Sequence, residues 1–266
     1  ARRRLAVELH DPAATPLPPR LPDGDLLYCP STSAAAAARQ RQLWHPGLGT
    51  FYRQARGPFA EVVDQLTLFT VFGLPVPRSE VLDDVSEPAV DAAIARLGGL
   101  PVILKLGGGE GGHGVMRLDT RTSLLSVLDG LALRGMQPLL QACIPDAVHW
   151  RLVVVGDEVV ASYRNVLRSD GFRTYASEDL ADYTAEPPPG AARLAVAAAA
   201  AIQVGLAGVD LLAHPSGRLY LLEANFPCYF PQAQVVAGVD VAGAMLDWLL
   251  ASAGEPRRED QRAQSV

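Results

Sequence analysis

Residues 101–118 read P-V-I-L-K-L-G-G-G-E-G-G-H-G-V-M-R-L, and no other stretch of the 266-residue chain restricts the backbone so sharply. A short apolar run ends at Lys105. Six glycines follow (Gly107, Gly108, Gly109, Gly111, Gly112 and Gly114), and a second apolar run begins at Val115. Alternation and β-branched residues on both sides of a glycine tract predict strand, flexible loop, strand. Lys105 is also the only lysine, since 22 of the 23 basic residues are arginines. A compact ammonium kept beside a glycine loop points to a site that needs one, although codon bias toward arginine would give the same count.

The loop itself has two readings. Glycines relieve tight turns and close approaches. Alternatively, a glycine-rich hairpin lays backbone N–H groups over phosphates while a lysine neutralises them. The residue order excludes a Walker loop, which ends in Gly-Lys-Ser/Thr, and the strand-to-helix setting of G-x-G-x-x-G is missing. His113 reads equally as a phosphate contact or an exposed loop histidine.

Composition narrows the class. At 49% hydrophobic and 20% charged residues the chain can bury a sizeable core, divided into two or three subdomains. A net charge of −6 argues against a general grip on nucleic acid or an acidic membrane. Cys29, Cys143 and Cys228 lack zinc-like spacing and read as reduced thiols of a cytoplasmic protein. No stretch reads as a signal peptide or bilayer span; the alanine runs at 34–38 and 195–201 are too short.

Taken in order, 5–9 and 26–29 are expected as strands around a proline-rich loop, with a helix over 34–43 capped by Ser31 or Ser33. A helix over 59–72 stops at Gly73. A strand near 80–82 precedes a helix from Glu87, with Pro88 in its first turn, to Gly98–Gly99. After the glycine loop, Thr120 or Thr122 caps a helix to about Leu131, and 139–144 forms a strand. Residues 151–155 and 158–164 read as a hairpin turning at Gly156–Asp157. Residues 168–182 read as an exposed loop, 191–204 as a helix, 209–212 and 219–223 as strands, and 239–250 as the last helix. Residues 253–266 read as a flexible tail.

Three further groups could carry chemistry. Asp210 sits in G-V-D-L-L, Glu223 ends L-Y-L-L-E, and Asn225 follows one residue later. Positions 223 and 225 share a strand face, and Asp210 joins them if its strand pairs antiparallel. Three oxygen donors near triphosphate oxygens would hold one or two Mg²⁺ ions, with Mn²⁺ as an alternative. The competing reading is buried polar groups tied to backbone or arginine. Arg151, Arg164 and Arg173 could grip phosphate or carboxylate, or serve solubility. Cys143 reads as a small buried hydrophobe, and no Ser–His–Asp or Cys–His pairing is legible.

Five stretches in order resemble the ATP-grasp superfamily, especially ribosomal-S6-modification-type glutamate ligases and bacterial glutathione synthetases. They are L-T-L-F-T-V-F-G-L-P-V-P-R-S at 66–79, P-V-I-L-K-L-G-G-G-E-G-G-H-G-V at 101–115, L-L-Q-A-C-I at 139–144, R-L-V-V-V-G-D-E-V-V-A-S-Y-R at 151–164, and G-V-D-L-L…Y-L-L-E-A-N at 208–225. The resemblance covers roughly 59–252 and implies an α+β fold holding ATP between two subdomains. It divides the chain into a reduced α/β-like N-terminal region (1–58), a central subdomain with the glycine loop (59–144), a C-terminal subdomain with the metal site (145–252) and the tail.

By the same resemblance Lys105 reaches the nucleotide phosphates, and the loop from Gly107 to Gly114, His113 included, closes over them. Gln141, Ala142, Cys143 and Ile144 match the interdomain strand that meets adenine, with Leu222 also at the nucleotide. Asp210, Glu223 and Asn225 match the magnesium ligands. Arg164 matches an arginine near the γ-phosphate and acyl phosphate, and Arg151 the arginine of an Asp-x-Arg element. Arg173 and Tyr175 fall on the substrate side. The chain departs from the family in having Asp64-Gln65 where Asp-Lys is frequent, His149 for the aspartate of Asp-x-Arg, and Tyr175 at an asparagine position.

The resemblance implies an ATP-dependent carboxylate–amine ligase working through an acyl phosphate and releasing ADP and phosphate. Its partners would be small-molecule or peptide carboxylates and amines, with no nucleic acid or membrane; homo-oligomerisation is left open. A kinase acting on a hydroxyl and a degenerate, non-catalytic nucleotide-binding scaffold are the alternatives.

Overall fold

The computed structural model describes residues 5–11, 18–107, 113–168 and 171–253. Gly108, Gly109, Gly111 and Gly112, and the tail past 253, lie outside the described residues. In chain order the elements are β1 (Leu26–Leu27), α1 (Ala34–Leu43), β2 (Gly49–Thr50), α2 (Val62–Val71), β3 (Ser79–Val81), α3 (Glu87–Leu97), β4 (Val102–Lys105), β5 (Val115–Leu118), α4 (Arg121–Ala132) and β6 (Leu139–Ala142). They continue with β7 (Val148–Val155), β8 (Glu158–Leu167), β9 (Thr174–Ala176), α5 (Leu180–Thr184), α6 (Ala191–Ala201), β10 (Leu206–Ala213), β11 (Leu219–Asn225), α7 (Pro231–Ala237) and α8 (Val241–Ser252).

Helix boundaries follow the local chemistry. Ser33 accepts from the Ala36 N–H at the start of α1, and Thr120 from the Ser123 N–H at the start of α4. In α3 Pro88 occupies the first turn, and Gly98, at φ +101°, stops the helix in a left-handed conformation closed to most other residues.

Two antiparallel sheets organise the molecule. The first runs β3-β6-β4-β5. Val102 and Leu104 point one way, onto Val90, Ala93 and Leu97 of α3 and Leu124 and Leu128 of α4. Strand alternation therefore turns Lys105 to the opposite face, away from the helices. The second sheet runs β11-β10-β7-β8-β9. On one of its faces Leu152, Val209 and Leu211 pack against α2 and α6, whose Ala195, Ala198 and Ala199 leave room for close approach. On the other face Val153, Val155, Ala161 and Leu206 pack against Val241, Met245 and Leu249 of α8.

The N-terminal segment shares that second core. Phe51 stacks on Trp248 with ring centroids 5.3 Å apart, and Gly205 N–H donates to Phe51 O at 2.8 Å. Arg53 donates to Val204 O at 3.0 Å and to Gly156 O at 3.2 Å. Among the described residues no helix is long and apolar enough to cross a membrane.

The structure corrects two expectations. Residues 5–9 form no strand, because among the described residues no strand pairs with them; Val7 is 79% and Leu9 96% exposed. The described residues of 171–182 are not all open loop. β8 extends to Leu167, giving Thr174–Ala176 an antiparallel partner, and α5 follows. Its Tyr183 is buried, with its ring 4.8 Å from Tyr163. That ordering comes from a neighbouring hairpin arm and from the Tyr163–Tyr183 contact, neither of which the polarity of the segment reports.

Candidate active site

Sheet register assembles one polar row. Asp210 stands opposite Glu223 on β11 and opposite Arg151 on β7. Arg151 stands opposite Tyr163 on β8. Residues two apart share a face, so His149, Arg151, Tyr163, Asn165, Asp210, Glu223 and Asn225 all project from one side. That side continues the α8-covered face beyond its apolar part.

Asp210 is the hub. Its carboxylate accepts from Arg151 Nε (Oδ1, 2.7 Å) and Nη2 (Oδ2, 2.7 Å), a bidentate pair, and lies 3.0 Å from His149 Nε2. Burial alone would raise its pKa, but Arg151 and His149 outweigh burial and hold the carboxyl well below the usual carboxylate range. Lys105 enters from the other sheet. Burial pushes its ammonium below the ordinary lysine value, and the negative charges of Glu223 and Asp210 oppose that push. The one lysine therefore confronts the acidic row across the gap between the sheets.

Gly208, two residues before Asp210, leaves space for the Arg151 side chain. A Cβ there would fall 2.6 Å from Arg151 Nη1 and 2.8 Å from Cys228 Cβ. Gly208→Ala should therefore displace the guanidinium and cost about 1–3 kcal/mol, the usual penalty for overpacking, lowering the melting temperature in calorimetry.

The donor set suits a hard divalent cation. Asn225 Nδ2 donates to Glu223 Oε1 at 2.8 Å and to Asp210 Oδ2 at 3.3 Å. An amide NH₂ bridging two carboxylates occupies a position where a cation would serve the same electrostatic purpose. Among the described residues no cluster of three or more His, Cys, Asp or Glu is arranged to hold a metal. Two carboxylates, one amide and ligand oxygens are the kind of set that magnesium takes when it binds with phosphates.

The other predicted residues are distributed around this row. Gln141 and Ala142 are buried at the end of β6, with Gln141 Nε2 donating to Ser79 Oγ at 2.9 Å. Cys143 and Ile144 follow, and with Val76, Arg78, Pro101 and Tyr220 they line a cleft of about 500 Å³. Leu222 lies at the bulge of β11, where the register shifts. Gly107 and His113 are exposed, and Leu106 N–H closes the base of the loop on Gly114 O at 3.0 Å. Arg173, between β8 and β9, donates to Val115 O at 3.2 Å and so joins that hairpin to the glycine-loop strand.

Arg164 and Tyr175 start from the other side of their strands. Arg164 stands opposite Trp150 rather than in the Asp210 row, and pairs with Asp182 at 3.0 Å. Tyr175 stands opposite Val166 and is 47% exposed. The row also contains groups that motif reading did not assign: Asn165, Tyr163, whose hydroxyl burial pushes up to about 12, and Thr174, hydrogen-bonded to His149 Nδ1. The i, i+2 spacing of His149 from Arg151 was the available signal. Cys228 and Cys143 are poor sources of thiolate, since burial pushes Cys228 up to about 12 and raises Cys143 as well.

Comparison with known proteins gives a consistent result. Residues 65–249 match the RimK-like ATP-grasp domain family. The chain is 33% identical over 224 residues to the ribosomal protein bS6–L-glutamate ligase of Escherichia coli (strain K12 / DH10B), covering 80% of this chain and 71% of that one. Among solved structures it is similar to the ATP-grasp ligase PsnB in complex with a phosphomimetic variant of its minimal precursor, Mg and ADP. Identity there is 25% and the TM-score 0.53, over 71% of this chain and 57% of that one. It is also similar to a RimK domain ATP-grasp protein from Sphaerobacter thermophilus DSM 20745, at 24% identity and TM-score 0.59, over 81% and 77% of the two chains.

Proposed function

This chain belongs to the RimK-like ATP-grasp family and is an ATP-dependent ligase of the kind that forms amide or peptide bonds; from that premise we propose that it joins a peptide or amino-acid carboxylate to an amine through an acyl phosphate. The observation that carries the reading is the meeting of Lys105 from one sheet with the Asp210–Glu223–Asn225 row from the other. ATP and Mg²⁺ use follows from the family's fold. The peptide class is suggested by two relatives, one named for acting on a ribosomal protein and one solved with its precursor.

In this reading adenine lies against the end of β6, Gln141 to Ile144, and Leu222. Asp210, Glu223 and Asn225 hold one or two divalent ions, Mg²⁺ or Mn²⁺. When bound, the ion neutralises phosphate oxygens and polarises the transferring phosphoryl group. Lys105 places a point charge at those phosphates, where a buried ammonium acts more strongly than it would in water. Arg151, fixed by Asp210, adds positive charge at the floor of the site. Gly107, His113 and Gly114 belong to the loop that excludes water while the acyl group is activated. Arg173 and Tyr175 are assigned to the acceptor, and Arg164, assigned to the γ-phosphate and acyl phosphate, would have to reach it from the opposite face of β8.

The first step forms a bond between a carboxylate oxygen and the γ-phosphorus and breaks the bond to the β–γ bridging oxygen, which leaves on ADP. In the second, an amine nitrogen attacks the acyl carbon, loses a proton, and inorganic phosphate departs. No protein nucleophile is consumed. The three cysteines Cys29, Cys143 and Cys228 are free thiols, as in a reducing, cytoplasmic setting.

The test is isotopic. Pools of peptides and amino acids carrying oxygen-18 in their carboxylates are incubated with the protein, Mg-ATP and glutamate or other amines. Transfer of one labelled oxygen to the released phosphate, together with an amide of matching mass, is the expected result. A phosphorylated product without free phosphate would establish a kinase instead. Absence of Mg-ATP binding in calorimetry would overturn the nucleotide reading.

A further inference from the structure

β11 is an edge strand, and its outer side is held at two points. Leu221 N–H donates to Pro75 O at 2.8 Å. The second holder is the side chain of Gln65, from the first turn of α2. Its Oε1 accepts from Ala224 N–H at 2.9 Å, while its Nε2 donates to Ala224 O at 2.9 Å. The amide thus makes the two-way pairing that one residue of a neighbouring antiparallel strand would make with its own N–H and C=O, and covers an edge that would otherwise present bare backbone. Nε2 also donates to Phe59 O at 3.0 Å, with Ala60 O at 3.3 Å. Gln65 is 3% exposed.

Ala224 is the residue between Glu223 and Asn225. Holding both of its backbone groups fixes the torsions from which those two side chains depart. The position requires a donor and an acceptor on one planar group, which an amide has. A lysine would offer donors only, and an ionised glutamate acceptors only. The departure from Asp-Lys at 64–65 therefore has a local purpose: the side chain is spent on the β11 backbone.

We propose that Gln65 is a positioning residue whose amide sets the disposition of Glu223 and Asn225, and through them the affinity for the divalent cation of the nucleotide complex. The proposal rests on the ligase reading above.

The experiment compares the full-length wild type with Gln65→Met, Gln65→Lys and Gln65→Glu. Mn²⁺ affinity in the presence of ADP is measured by electron paramagnetic resonance, ADP affinity without metal by calorimetry, and amide hydrogen exchange over 219–225. Gln65→Met and Gln65→Lys should lower Mn²⁺ affinity about tenfold, the effect typical of losing an outer partner of a metal ligand, with metal-free ADP affinity nearly unchanged. Exchange at 223–225 should quicken while that of 208–213 does not. Gln65→Glu, which keeps the bond from Ala224 N–H, should fall between and remains informative if the methionine variant does not fold.

Wild-type Mn²⁺ affinity in the variants would overturn the positioning role alone, as would a gain from Gln65→Lys or a parallel loss of metal-free ADP binding. Failure of the wild type itself to bind Mn²⁺ with ADP would overturn the ligase reading and this role together.

Discussion

Lys105→Ala should lower kcat/KM for ATP by about 100- to 1,000-fold, the size expected when a preorganised charge is removed from a developing anion. Its ammonium is held below the ordinary lysine pKa by burial, so the folded chain bears a cost for keeping the charge there. The alanine variant should therefore melt no lower than the wild type, which separates a functional loss from a folding defect. Lys105→Arg should not rescue turnover, because a planar guanidinium cannot take the place of a compact ammonium beside a tight loop. Steady-state ADP release and a thermal melt decide the matter. Unchanged turnover in the alanine variant would remove Lys105 from the site.

Asp210→Ala should have the opposite profile, losing stability and activity together. The Arg151–Asp210 pair is buried and bidentate. Removing one partner of such a pair leaves an uncompensated charge and costs about 3–5 kcal/mol. For a domain of this size that corresponds to a fall of roughly 6–20 °C in melting temperature. A double variant, Asp210→Ala with Arg151→Met, should recover much of the stability, since a well-packed apolar pair can replace a buried ion pair. It should not recover turnover, because the oxygen donor is gone. Recovered turnover in the double variant would show that Asp210 serves only to neutralise Arg151.

The two variants probe groups contributed by the two different sheets. Lys105 is partly withdrawn from water, and the charges of Glu223 and Asp210 offset only part of that cost. Asp210 is fully engaged by Arg151, His149 and Asn225. Cation binding at Asp210 must therefore compete with internal hydrogen bonds, and that competition makes the backbone setting of Glu223 and Asn225 matter. Gln65 acts on that setting, from a helix 159 residues away in sequence.

Much of the architecture was legible locally. Alternation around the glycine tract, the caps at Ser33 and Thr120, the stop at Gly98 and the turn at Gly156–Asp157 are short-range effects, decided by steric limits and hydrogen bonds within a few residues. The order of motifs was enough to imply the family. The spacing of Glu223 and Asn225 put them on one face without any tertiary knowledge, because strand alternation is a property of the backbone itself.

What sequence could not decide is which strand lies beside which, and in what register. Register placed Arg151 and Glu223 on either side of Asp210, and it placed Arg164 opposite Trp150 and Tyr175 opposite Val166, away from the acidic row. These outcomes depend on burying apolar faces from distant segments together, and a one-residue slip would invert every side chain. Sequence by itself determined the elements and the chemical groups available. Tertiary structure decided which groups meet, because long-range packing sets the register that puts Lys105 within the field of Asp210 and Glu223 and lets Gln65 close the edge of β11.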